Sequence, residues 1–429
     1  MGSFDTALSA LQAYTSAINA VGNNLANMSS TGFKNSNINF EDVMGSVTNN
    51  SQIGNGVQQP TTSADFSQGT VSSTGVALDA AIQGSGFFLL TPAGSTGTVT
   101  PSSYEYTRDG SFQVGSDGTL QAADGSHVQG WSLDPATGQV NTSGAVGNIT
   151  IPTGTTIAPT ATSTLSITAN VDAAAATGAT LSVPVTVYDS LGGSHQLTLT
   201  MTKDATPNTW DLSLSSTDPS IQNGSDLTSL LSTKTLTFAN GTLDPSTPAS
   251  ITLTGLKYTT ASGIPDQPVI TWSPWTTAPS GTPATGGVSG LTQYSQTSAV
   301  SNVTQNGTEA GTLSSVAIAN GGEVMATFTN GAQMEIGQLA VAGVTNPNSL
   351  INIGNNEFTA GASTSVLPAS VPGTAGAGQI VGESLESSNV DIATEFTDLI
   401  TYQSGYQAAS RVITTQDQMI QQLMSIIQA

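Results

Sequence analysis

Two histidines, the residue type most often used as a general base or metal ligand, stand in this chain, His127 and His195, and both sit in glycine-marked turns, ADGSHVQG and LGGSHQLT. A zinc site needs cysteine or histidine at short fixed spacing, and the chain has no cysteine and neither HxxH nor HExxH. Two exposed turn histidines are therefore expected. Asp-Gly pairs at 109–110, 117–118 and 124–125 offer oxygen ligands, yet none lies in the twelve-residue ligand pattern of a calcium loop. They are expected as hairpin turns. Gly84 and Gly86, in QGSG, follow no strand-loop-helix plan and carry no lysine, so a phosphate cradle is not expected. Covalent catalysis needs a nucleophile beside a base, and glycoside hydrolysis needs paired carboxylates in an aromatic cleft. The tryptophans Trp131, Trp210, Trp272 and Trp275 stand in settings that read as structural. No enzyme activity, metal or cofactor is expected. Lys34, Arg108 and Arg411 are half of the 6 basic residues. Solvated surface roles are expected for Lys34 and Arg411, with anchoring of a turn by Lys34 and helix bridging by Arg411 as the alternatives.

The composition narrows the partners. Six Lys and Arg face 28 Asp and Glu, for a formal net charge of -22, so there is no basic patch for nucleic acid or an anionic membrane. The chain has 429 residues, enough for two to four domains, and is 37% hydrophobic, enough for real cores. Charged residues make up 8%, far below the usual quarter. Neutral polar groups replace them. Such surfaces can lie against one another without stripping water from many charges, which suits dense packing of copies. No apolar run is long enough to cross a bilayer as a helix. The start carries Asp5 and lacks the basic and continuous apolar segments of a secretory leader, so export without a cleaved leader is expected.

Two long striped helices must bracket whatever these residues do. Residues 3–28 are predicted helical, with Phe4, Leu8, Leu11, Ile18 and Leu25 at four-three spacing and Ser3 as a candidate cap. NMSSTGFK then stops the helix. At the other end Ile392, Phe396, Leu399, Tyr406, Ile413, Ile420 and Ile427 continue the same seam, from a start near Ser388 with Asp391 completing a capping box. Doubled positions such as Leu423–Met424 and Leu399–Ile400 widen the apolar arc beyond a two-helix seam. Thr15, Gly22, Gln403, Ser410 and Asp417 interrupt it. Three arrangements follow: packing on β domains of the same chain, packing on helices of other copies, or a detached dimerising hairpin.

Between the helices the period changes to two. Residues 33–76 are polar and read as an extended arm. Short strands and glycine turns fill 77–144, and a second β block spans 145–290, with clear alternation around a turn at 189–193. The Pro/Gly-rich SPWTTAPSGTPATGGVSG closes that block. From 291 to 370 the chain returns to the style of 77–144, and 371–382 forms a linker. The fold class is thus mainly β with long N- and C-terminal α-helices in a coiled-coil-like layer, as a discontinuous multidomain subunit.

The motifs have a family likeness. LANMSSTGFK (25–34), LDAAIQGSGFFLL with YTRDGSFQVGSDGTLQAADGSHVQGW, and SNVDIATEFTDLITYQSGYQAASRVITTQDQMIQQLMSI resemble the bacterial flagellar rod and hook axial proteins. GTLSSVAIANGGEVMATFTNGAQMEIGQLAVAGVTNPNSLINIGNNEF resembles the return half of the hook's inner β domain. The motif residues are Asn27, Thr31, Gly32, Phe33, Lys34, Arg108, Asp109, Gly110, Tyr406, Gln407 and Arg411. The 145–290 insertion favours the hook branch over a distal rod or hook–filament junction subunit. A β-rich surface-layer protein or adhesin shares the composition but predicts no matched helices at both ends.

The resemblance implies a homo-oligomer of many copies: a curved hollow tube outside the cell that acts as a universal joint passing motor torque to the filament. It implies the flagellar export apparatus, hook cap, distal rod and hook–filament junction proteins as partners, with no nucleic acid and no membrane insertion. It assigns 1–32 and 383–429 to an inner helical tube, 33–76 to a connecting arm, 77–144 with 291–370 to an inner β domain, 145–290 to an outer one and 371–382 to a return linker.

Overall fold

The computed structural model describes residues 2–43, 47–48, 51–52, 56–94, 103–134, 137–154, 156–244, 247–248, 250–258, 269–275 and 290–427. Most of the Pro/Gly-rich closing stretch, 276–289, lies outside the described residues. The chain is mainly β, opened by helix α1 (Gly2–Ala26) and closed by helix α2 (Ile392–Ile427). It divides into two units. Unit 1 comprises 1–153, 315–326 and 333–429, and unit 2 comprises 154–314 and 327–332.

In unit 1, α1 forms from an alanine-rich run without proline, and its extent already includes Ser3. It ends where Ser30 donates its N–H to the Asn27 carbonyl and Gly32 takes a left-handed φ of 68°. α2 begins later than its sequence suggests. Asp391 is the cap: its Oδ1 accepts the Thr394 N–H at 2.9 Å, and its carbonyl accepts from Glu395. These bonds hold the Asp391 carboxyl below the usual range. The Ser388 hydroxyl instead accepts from Val390 at 3.3 Å, before the helix starts. A carboxylate one residue from the first turn outcompetes the more distant hydroxyl, because it faces the positive end of the helix.

The β body of unit 1 joins distant pieces of sequence. The strands Gln333–Leu339, His127–Asp134, Phe87–Thr91, Glu105–Thr107, Glu357–Ala360 and Leu350–Gly354 lie side by side in that order, all antiparallel. Gly130 pairs with Leu339, and Tyr106 pairs with Phe358. Strand Phe87–Thr91 is buried along its length, as a central strand covered on both faces must be. Phe88, Leu90, Tyr106, Leu120 and Ile149 are fully enclosed.

The Asp-Gly turns divide. Gly118 and Gly125 close hairpins with φ of 75° and 93°. Asp109–Gly110 does not form a hairpin. There the chain crosses strand Ala80–Gln83, Ala80 donates to the Gly110 carbonyl at 3.0 Å, and a Cβ at 110 would collide with the Ala80 carbonyl oxygen. Close approach of two backbones demands that glycine.

Unit 2 is an antiparallel-rich sheet with a single apolar core. Strands Thr180–Tyr188 and Ser194–Lys203 pair along their full length around the 189–193 turn. Val183, Val185 and Val187 face inward, as do Leu197, Leu199 and Met201, while the intervening Pro184, Thr186, Thr198 and Thr200 face outward. Strand Ala299–Gln305 returns to pair with Thr164–Asn170, so this unit extends past the glycine-rich stretch.

Candidate assembly surface

The helices α1 and α2 run antiparallel. Asn24, near the end of α1, donates to the Glu395 carboxylate at 3.2 Å, and Tyr14, mid-helix, lies against Gly405. Their mutual seam uses Ala7, Ala10, Tyr14, Ala17, Val21 and Asn24 on α1, all buried or half-buried, against Glu395, Tyr402, Gly405 and Ala409 on α2. A Cβ at Gly405 would lie 2.5 Å from the Tyr14 ring, so glycine there admits the tyrosine. Tyr14, Tyr402 and Phe40 of the arm form a tilted aromatic triplet with centroids 5.8–6.5 Å apart.

This seam is the expected stripe moved by one residue, a rotation of about 100° around each helix. The large apolar side chains therefore stand beside it. Phe4 and Leu8 are each 40% exposed, Ile392 46%, Phe396 47%, Tyr406 38% and Ile420 52%. Leu11, Ile18, Leu25, Leu399 and Ile413 are half-buried, and the Ile427 side chain lies outside those described. Met419, Leu423, Met424 and Ile426 are also exposed. The interrupting residues Thr15, Gly22, Gln403 and Asp417 are exposed too, so no carboxylate at 417 is buried within the chain. Gln407 and Arg411 lie exposed on α2.

Beneath the helices the remaining motif residues converge on one joint. Lys34 Nζ lies 2.7 Å from Glu386 Oε1, and Arg108 Nη1 lies 3.1 Å from Glu386 Oε2. Lys34 also donates to the Ser67 carbonyl, Arg108 donates to that of Gly84, and Gly69 N–H donates to the same Glu386 carboxylate. Burial lowers the Lys34 pKa; Glu386 opposes the shift and the Arg108 charge adds to it. Lys34 is thus no solvated cation: its ammonium is enclosed because a carboxylate and a carbonyl replace its water. Gly32 donates to the Glu386 carbonyl at 2.8 Å, and a Cβ there would meet the Asp109 nitrogen at 2.5 Å. Phe33 is buried, and Asn27 bonds back to Asn23. Asn356 donates to the Thr31 carbonyl at 2.8 Å, tying the turn after α1 to the β body. Asn24, Asn35 and Glu395 form a second buried polar knot that fixes α2 to the start of the arm. Glu386, Asn35, Asn356 and Asn389 escaped the sequence reading. With 28 acids for 6 cations, nothing in the sequence marks Glu386 as the partner of two of them.

Beside this joint, Glu357 is buried near Asp124 and Glu105. Burial first, then those like charges, push its carboxyl up to about 7.

The histidines are not exposed turns. His195 is buried in unit 2, with Nε2 3.2 Å from Asp189, Nδ1 2.8 Å from Asp218, and Tyr258 stacked on the ring at 3.9 Å. Hydrogen-bonded carboxylates let the imidazole be enclosed, which a turn motif alone does not reveal. His127 is half-buried against Thr119. Trp131 donates to the Gly144 carbonyl, and Trp210 and Trp272 are core residues.

Four family descriptions match the chain: Flagella basal body rod protein over 4–34, Flagellar hook protein FlgE/F/G D1 domain over 81–172, Flagellar basal body protein FlaE D2 domain over 157–308, and Flagellar basal body rod FlgEFG protein C-terminal over 381–426. The flagellar hook protein FlgE of Escherichia coli K12 is 31% identical, with 99% of each chain covered. The chain belongs to the flagellar hook protein family. The hook proteins of Salmonella typhimurium and Treponema pallidum are 30% and 29% identical, each covering 99% of this chain. As a hook family member it is a structural subunit of the flagellum, and the convergent motif residues are the joint between its helices and its β body. Among the described residues no helix is long and apolar enough to cross a membrane.

Proposed function

We propose that the chain polymerises through the outward apolar stripes of α1 and α2 into the inner wall of a curved hollow tube, which works as a universal joint between motor and filament. The observation that carries this is the pair of stripes itself. The two helices already share a seam, and Phe4, Leu8, Ile392, Phe396, Tyr406, Ile420, Leu423, Met424 and Ile426 remain 38–73% exposed, with Leu11, Ile18, Leu25, Leu399 and Ile413 half-buried between them. A contiguous apolar face of this kind marks an interaction surface. A helical polymer requires a heterologous contact, since a two-fold patch would stop at a dimer.

In this proposal Phe4, Leu8, Leu11, Ile18, Leu25, Ile392, Phe396, Leu399, Tyr406, Ile413, Ile420 and Ile427 form the assembly interface. Residues 1–32 and 383–429 make the inner tube, 33–76 the arm, and 77–144 with 291–370 the inner β domain. Residues 145–290 make the outer domain, and the strand Ala299–Gln305 at the start of the return half pairs with it. The Lys34–Glu386–Arg108 joint holds the helices to the body, while the neutral polar surfaces slide at lower cost than paired buried charges. The flagellar export apparatus delivers the subunit outside the cell, and cap, distal rod and junction proteins meet the growing tube. Electron microscopy of purified protein tests this. The full chain forms tubes, and a chain lacking residues 400–429 does not while its β units stay folded. Normal tubes from the truncated chain would end the proposal.

A further inference from the structure

Strand Leu350–Gly354 forms an open edge of the unit 1 sheet. It pairs with Glu357–Ala360 on one side and with no described strand on the other. Natural edge strands are usually blunted by lysine, proline or an inward charge. This one reads LINIG, with Ile351 55% and Ile353 47% exposed on alternate positions and no charge within it. Between Glu335 and Glu383 the one charged residue is Glu357, which is buried. The turn Pro347–Ser349 leads into the strand, and Pro347 also lines a groove with Val344, Leu367, Ala369 and Phe66. Arg108 lines the same groove, and its buried Nε has no acceptor among the described residues.

We propose that this edge and groove form a lateral contact that takes a second copy of the chain, through a surface other than the strand itself. The inference rests on the reading of the chain as a polymerising subunit. A free strand edge recognises extended backbone, so the occupant is a polypeptide. A chain of net charge -22 repels its copies over most of its surface, and an uncharged apolar strand beside a groove lined by no carboxylate is where two of them meet at least cost. Edge-to-edge pairing of identical strands would be two-fold and would stop growth, so the neighbour presents another element.

Photo-crosslinking tests this on the full chain, with Ile351→p-benzoylphenylalanine in one variant and Phe396→p-benzoylphenylalanine in another, each under polymerising conditions. Intermolecular products from position 351, mapped to a residue outside 343–377, support the contact. Products from 396 alone overturn it and leave the helical assembly standing. Products from 351 alone support it and overturn the helical reading; products from neither overturn both. In parallel, Ile351→Asp raises the protein concentration needed for polymerisation by about tenfold, with the monomer's unfolding temperature unchanged. An unchanged threshold counts against the contact.

Discussion

Unit 2 and the helical pair of unit 1 solve the same problem in opposite ways. In unit 2 the alternation of strands puts Val183, Val185, Val187, Leu197, Leu199 and Met201 on one face, and the chain covers that face by itself. Polar Ser and Thr are left outside. In the helical pair the seam holds alanines, a glycine and an asparagine around Tyr14, Val21 and Tyr402, and Phe396, Ile420 and Leu423 are outside. A body that buries its large side chains is complete as a single copy. A layer that leaves large apolar side chains exposed is not. In the proposed assembly, stability and polymerisation are therefore assigned to separate parts of one chain.

The strongest way to break this contrast is at the joint. Glu386→Ala leaves two buried cations without a carboxylate and is expected to cost unit 1 about 3–5 kcal/mol, because an uncompensated buried charge remains. Chemical denaturation should show an early loss of unit 1 with the unit 2 transition unmoved. Trp210→Ala is the counterpart, expected to cost unit 2 about 3–5 kcal/mol while the helical content at low denaturant is retained. Circular dichroism read beside tryptophan fluorescence separates the two.

Gly405→Ala sharpens the account of the inner seam. The added methyl meets the Tyr14 ring and should cost about 1–3 kcal/mol through overpacking, read as earlier melting of the helical signal. Tyr14→Ala in the same chain should recover part of that loss.

Glu357 gives a pH test. Its folded pKa, about 7, lies above the ordinary value of 4.5, so the native state holds the proton more tightly than the unfolded chain. Its contribution to stability is full below 4.5 and is lost as pH rises through 7. The melting temperature of unit 1 should therefore fall between pH 5 and pH 8, and Glu357→Gln should flatten that slope.

The smallest monomer effect is expected on the outer stripe. Phe396→Ser and Ile420→Ser should shift stability by no more than about 0.5 kcal/mol, as exposed substitutions do. The same variants should suppress tube formation. A large loss of monomer stability would mean that the stripe is covered within the chain.

Much of this was legible in the residues, in uneven measure. Both helices and the 189–193 hairpin follow from period and turn chemistry, which are local, whereas the partnership of 77–144 with the return half was implied by the family resemblance. Lys34 and Arg108 stand in recognisable motifs, but their enclosure depends on Glu386, which lies 352 residues from Lys34. The end of a strand of ordinary composition gave no sign of that. His195 carried the same ambiguity, since the carboxylates of Asp189 and Asp218 reach it only when two loops meet.

By itself the sequence determined that there are two striped helices and a β-rich middle, because periodicity of side chains dictates local conformation. It also set the formal net charge of -22. Only the tertiary structure decided which stripe the helices turn toward each other. A one-residue rotation costs nothing in local propensity, and close packing of Tyr14 on Gly405 selects one orientation over the next. That choice turns the larger apolar side chains outward.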